Sequence, residues 1–181
     1  MAREPLIVAF QDADPTQVEL LGAKGAKLVE DMRHMQVVFQ EMEDLIAVPD
    51  GFVLSTEVWR EYHESGNRLT DETCGRIREQ MRGLEERKGR RFGDGSGRMP
   101  LIVAVRGGAP VSLPGALSTV LNVGLNDDVV HALIEAGEDE SFVRTTYLTA
   151  IRMYGEVVLG IPYDPFYEAI GAHVAFPLLT D

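Results

Sequence analysis

Short apolar runs divided by glycine, proline and charge fill the first two-thirds of the chain, and longer helical stripes fill the rest. Residues 5–10, PLIVAF, read as a buried strand. Further on, Leu28, Met32, Met35, Phe39 and Met42 recur every three or four positions, which puts them on one helix face. Pro49 and Gly51 end that segment. GFVLST at 51–56 predicts a strand running into a helix, with Ser55 or Thr56 as the cap of a helix that carries Val58, Trp59 and Tyr62. After Gly66 and Asn67, Thr70 starts another helix, whose inward stripe is Cys74, Ile77, Met81 and Leu84.

A glycine- and charge-rich loop at 88–100 leads into the apolar strand LIVAV at 101–105, and TVLNVGL at 119–125 predicts a second extended segment. Asn126 or Asp127 caps a short helix holding Val129, Val130, Leu133 and Ile134, and Gly137 closes it. The last long helix is expected from about Ser141 to Leu159, with Phe142, Val143, Tyr147, Ala150, Tyr154 and Val157 repeating at helical spacing. Strands interleaved with helices, then helices alone, predict an α/β part over 1–126 and a helical extension over 127–181.

Charge narrows the partners. The 181 residues carry a net charge of −12, which argues against nucleic acid or an anionic membrane as the main partner. A few local cations and backbone N–H groups still suffice to bind a small anion. One cysteine, Cys74, forbids an internal disulfide and suits a reducing compartment. No apolar run approaches membrane-spanning length and the first residues show no signal-peptide pattern, so a soluble cytoplasmic protein is expected.

Two glycine-rich places carry cations. LGAKGAKL at 21–28 lacks the spacing of the common phosphate-binding loop, and Leu28 stands where that loop needs a hydroxyl. What remains is a short glycine loop opening a helix, with Lys24 and Lys27 at the positive end of its dipole; two solvated lysines on a turn are the simpler account of these residues alone. The second place is stronger. Arg106 ends an apolar strand and cannot shed its charge, while Gly107 and Gly108 leave the following backbone bare enough to approach an oxyanion. A structural carboxylate and a ligand are comparable partners for such an arginine, and the glycines favour a polyanion such as the phosphates of a nucleotide. Ser112, Ser118 and Thr119 can add hydroxyls, although such residues more often serve turns and caps. The four histidines are scattered with no partner at metal-ligand spacing, so no metal site is assigned.

Four stretches in order, LLGAKGAKLVEDM, VPDGFVLSTEVWREYHESG, LIVAVRGGAPVSLPGALSTVLNVGLND and FVRTTYLTAIRMYGEVVLGIP, resemble the nucleotide-binding region at the N-terminal end of the pyruvate, phosphate dikinase family. The resemblance implies an ATP-grasp-type subdomain, a mixed sheet with flanking helices, in which Lys24 and Arg106 lie against the ATP phosphates; Gly107 and Gly108, from the reading of the loop itself, are expected to supply backbone donors beside them. It implies phosphoryl transfer from ATP through a histidine on a separate domain, with inorganic phosphate and pyruvate as co-substrates. It further implies magnesium ligands in a second ATP-grasp half outside these residues, the remaining dikinase domains or a separate chain as partners, and no catalysis by this stretch alone. Gly107 stands where the family has serine, Ala116-Leu117-Ser118-Thr119 replaces Met-Met-Asp-Thr, and the segment 32–48 is longer by roughly two helical turns. These departures keep open a non-catalytic nucleotide-binding or regulatory module derived from that domain.

Overall fold

A computed structural model describes residues 7–38, 49–96, 99–108, 118–162 and 166. Pro5, Leu6, Phe39, Met42, Ser112, Ala116 and Leu117, all named above, and His173, one of the four histidines, lie outside them. The described residues mix helices with two two-stranded antiparallel sheets, so the strands form two separate ladders here. The chain folds as two compact units, one of 1–89 with 107–117 and one of 90–106 with 118–181.

In the first unit, β1 (Ile7–Ala9) pairs with β2 (Phe52–Leu54) in the register Ile7↔Leu54, Val8↔Val53, Ala9↔Phe52. The Phe10 N–H extends the ladder to the Gly51 carbonyl at 3.0 Å. Gly51 is required there, because a Cβ would stand 2.8 Å from the Phe10 ring. Helix α1 (Val18–Val38) lays Leu21, Ala26 and Val29 against Ala13, with Val8, Phe10 and Val53 completing the cluster. Burying a valine such as Val29 contributes about 1.5–3 kcal/mol relative to exposure. The helix begins ten residues before the methionine stripe suggests, and the expected glycine loop at 21–28 shrinks to a break at Gly22 (φ 71°, ψ 156°). A left-handed φ at that ψ is open only to glycine, so the chain re-enters the helix one residue later.

Helix α2 (Thr56–Glu64) follows Ser55, whose extended backbone makes it the cap by position, but the Ser55 side chain makes no cap hydrogen bond. The Thr56 hydroxyl instead donates to the Glu19 carbonyl at 2.9 Å, tying α2 to α1. Helix α3 (Asp71–Lys88) is capped by Thr70, whose Oγ1 accepts from the Thr73 N–H at 3.1 Å, and ends at Gly89 in the left-handed region. Leu84 is buried as the stripe requires, whereas Cys74, Ile77 and Met81 are only half-buried. The fully buried residue of α3 is Thr73, which donates through Oγ1 to the Glu61 carboxylate of α2.

In the second unit, β3 (Val103–Arg106) pairs with β4 (Thr119–Val123), and a bulge shifts the register between Val103↔Val123 and Val105↔Val120. Asn122 absorbs the extra residue of β4 with φ 58°. Gly124 follows at φ 112°, where a Cβ would lie 2.9 Å from the Leu101 carbonyl oxygen. Helix α4 (Asp127–Glu135) is capped as read: Asn126 Oδ1 accepts from the Val129 N–H at 2.9 Å, and Asn126 Nδ2 donates to the Gly93 carbonyl at 2.8 Å. Helix α5 (Glu140–Val157) packs on β4 and α4, with Val143 buried. Its cap is Asp139, and Phe142, one of the residues repeating at helical spacing, is 68% exposed. Tyr154 and Val157, farther along the same stripe, are exposed as well, while Gly155 beside them is buried against the Phe166 ring.

Candidate functional site

Strand β3 brings Arg106 to its end, and register places it opposite Thr119, the first residue of β4. Directly opposed residues share a sheet face, so the guanidinium and the threonine hydroxyl belong to one side of the ladder. Arg106 is exposed and Thr119 half-buried. Among the described residues no carboxylate or carbonyl holds the Arg106 side chain, in contrast to Arg60, Arg76, Arg87 and Arg144, each of which forms an ion pair. The alternative weighed from the sequence, a structural carboxylate, is therefore not found among them. Past the strand, Gly107 is half-buried and Gly108 exposed, and a Cβ on Gly108 would meet nothing within 4 Å. No neighbouring atom demands glycine there, and the bare peptide stands open.

Lys24 belongs to the other compact unit, on α1 two residues beyond the Gly22 break. Such a break interrupts the i→i−4 ladder, so N–H groups of the next turn want an acceptor, as at any helix start. Lys24 is half-buried, and among the described residues it forms no ion pair. Lys27 differs. Its ammonium bridges Glu30 and Asp31, each at 2.9 Å, and hydrogen bonds from Asp31 and then Glu30 push its pKa up to about 12. The sequence could not separate these two lysines; the i,i+3 and i,i+4 spacing to Glu30 and Asp31 was the available signal. Gly25, between them, sits against the Val53 side chain, where a Cβ would approach to 3.4 Å.

The remaining polar groups serve structure. Asp50, unremarked in the sequence, receives both Nε and Nη2 of Arg87, at 2.8 and 3.3 Å. Burial raises its carboxyl, and the Arg87 guanidinium and the Gly51 N–H more than offset this, holding it below the ordinary value. His131 Nδ1 lies 2.8 Å from the Asp127 carbonyl, and His63 stacks edge-on with Trp59 at 4.4 Å. Among the described residues, no group of three or more His, Cys, Asp or Glu is placed to hold a metal ion, and no helix is long and apolar enough to cross a membrane. A cleft of about 220 Å³ in the first unit is lined by Phe10, Met32, Arg33, Gln36, Asp50 and Lys88, among others, and includes none of Lys24, Arg106, Gly107 and Gly108.

No family model matches the chain. Individual proteins do. The chain is 35% identical over 166 residues to a pyruvate, phosphate dikinase of Clostridium symbiosum, covering 92% of the chain and 18% of that protein. It is 33% identical over 163 residues to that of Entamoeba histolytica, with 90% and 17% covered. It is 40% identical over 152 residues to the chloroplastic pyruvate, phosphate dikinase of Mesembryanthemum crystallinum, with 83% and 14% covered. The resemblance read from the four sequence stretches is borne out, and the chain spans less than a fifth of the length of these relatives.

Proposed function

We propose that this relative of the pyruvate, phosphate dikinases is the phosphate-facing part of an ATP site in a dikinase-like phosphotransferase. The observation that carries the reading is Arg106: an exposed guanidinium without a partner among the described residues, set at a strand end beside Thr119 and followed by two glycines. Lys24, the lysine that Glu30 and Asp31 leave free, is the second cation assigned to the phosphates. An ATP-grasp arrangement and a cytoplasmic setting are parts of this proposal.

In the proposed reaction, ATP, phosphate and pyruvate give AMP, pyrophosphate and phosphoenolpyruvate by way of a phosphohistidine on another domain. What these residues contribute is electrostatic. Arg106 presents paired N–H donors to phosphate oxygens, and its charge is most useful where negative charge spreads over the transferring group. Gly107 and Gly108 add main-chain donors without a side chain to block approach, and Lys24 supplies a point charge. Magnesium would neutralise the same oxygens, and no ligand for it is assigned in these residues. The part proposed for these residues is to hold the nucleotide's phosphates.

A second reading rests on two departures, Gly107 for the family's serine and Ser118 for its aspartate: a binding or regulatory module that retains the phosphate site. Titration of ATP with magnesium, followed by melting temperature, tests the shared premise, since a ligand that binds only the folded state raises it by mass action. Arg106→Ala is expected to lower affinity about tenfold or more, the size of losing a charge-assisted bidentate contact. No rise up to millimolar ATP would sink the nucleotide site. Restored phosphotransfer on adding the remaining dikinase domains favours the enzyme; binding without transfer favours the module.

A further inference from the structure

We infer that the cleft of the first unit is a binding site for a small organic carboxylate with a short apolar body, separate from the proposed phosphate site. Its floor is apolar: Val29 and Met32 of α1 are buried, and Phe10, just past β1, lies beside them. The charges around that floor are unequally committed. Asp50, the carboxylate of the lining, accepts from Arg87 through both of its oxygens. Arg33 of α1 spends only Nη2, which donates to the Ala13 carbonyl at 2.7 Å and so holds the guanidinium in place. Among the described residues, neither Arg33 nor Lys88, the last residue of α3, forms an ion pair, although Lys27, Arg60, Arg76, Arg87 and Arg144 all do.

In a chain with 29 acidic and 17 basic side chains, two cations without a carboxylate beside an apolar floor select an anion. A guanidinium offers paired donors to a carboxylate, and the ammonium adds a point charge. Size narrows the choice further. The cleft, at about 220 Å³, exceeds the roughly 150 Å³ of a cavity that holds benzene and falls short of the roughly 300–1,000 Å³ of pockets for drug-sized ligands. A nucleotide is too large for it, and an inorganic anion would leave the floor unused. Helix geometry separates the cleft from the phosphate site. Lys24 and Arg33 both follow the Gly22 break, and at about 100° per residue their spacing places them on opposite faces of α1.

NMR titration of the 181-residue chain, with isotope-labelled methionine methyls, tests this using pentanoate, pentan-1-ol and acetate as probes. Pentanoate is expected to bind in the millimolar range and to shift the Met32 methyl. It should bind about tenfold more tightly than pentan-1-ol, which lacks the charge, or acetate, which lacks the apolar body. Arg33→Gln and, independently, Lys88→Gln should each lower pentanoate affinity about fivefold and leave pentan-1-ol within about twofold. Lys88 is exposed, so its variant decides the matter even if Arg33→Gln loosens the Ala13 contact. ATP with magnesium should bind both variants as it binds wild type. Absence of pentanoate binding, equal affinity for the three probes, a shift confined to other methionines, or affinity unchanged by both variants would overturn the carboxylate site. A loss of ATP affinity in both variants that matches the loss for pentanoate would overturn its separation from the phosphate site.

Discussion

Ser55 is 2% exposed, and its Oγ has no hydrogen-bond partner. A hydroxyl in that state keeps the cost of leaving water without the return of a bond. Ser55→Ala is therefore expected to raise stability by about 0.5–1 kcal/mol, although serine at a cap position ordinarily stabilises. Urea denaturation decides it: a loss of about 1 kcal/mol instead would mean that the hydroxyl is bonded in solution. The two lysines of α1 make a matched pair of tests at the same scale. Lys27 is already satisfied by Glu30 and Asp31, so Lys27→Ala should leave ATP affinity within about twofold, whereas Lys24→Ala should lower it by about tenfold. Equal effects would remove the assignment of Lys24.

At the level of elements, capping shows what sequence reasoning can and cannot reach. Thr70 and Asn126 cap α3 and α4 with their side chains, as their position before an apolar run indicates. Asn126 does more, since its Nδ2 also binds the Gly93 carbonyl across 33 positions of chain. Asn126→Ala is expected to cost about 1–2 kcal/mol, and Asn126→Asp, which keeps the cap but loses the donor, about half of that; chemical denaturation of both variants checks the order. The same pattern misreads Ser55, because a cap is a rotamer as well as a residue type. It also misplaces the start of α1: glycines at 22 and 25 look like a loop, yet Gly25 keeps helical backbone and its missing side chain leaves room for Val53. Phe142 fits the spacing of α5 and is nevertheless exposed, since periodicity marks an apolar stripe without saying how far a neighbour extends along it. For the candidate site, the residue types and their order were legible, as were Arg106 and its glycines. The pairing of Arg106 with Thr119 was not, because it depends on a bulge at Asn122 that no pattern of apolar residues encodes.

For the molecule as a whole, the ionisable contacts define a pH window of stability. Asp50 is raised by burial and lowered more strongly by Arg87 and the Gly51 N–H, and Asp14 and Asp94 are lowered by the N–H groups of Thr16 and Ser96. Each carboxyl thus has a folded pKa below its ordinary value of 3.8, so its contribution is present above that pH and disappears as pH falls through the folded value. Tyr147 has the opposite sense. Burial, then its hydrogen bond to Asp127, raise its pKa above 10.0, so its contribution is intact below that pH and is lost as pH climbs through the raised value. Stability should form a plateau bounded by an acid limb and an alkaline limb. Two substitutions separate the limbs. Asp50→Asn should lower the plateau by about 0.5–1.5 kcal/mol, since the pair is only partly shielded from solvent, and the difference from wild type should shrink below pH 3.8. Tyr147→Phe should leave the acid limb in place and flatten the alkaline one above pH 10.0. Denaturation midpoints measured across the range provide the readout. An acid limb unchanged by Asp50→Asn would show that the Arg87 contact is not held in solution, and an alkaline limb unchanged by Tyr147→Phe would show the same of the link between α4 and α5.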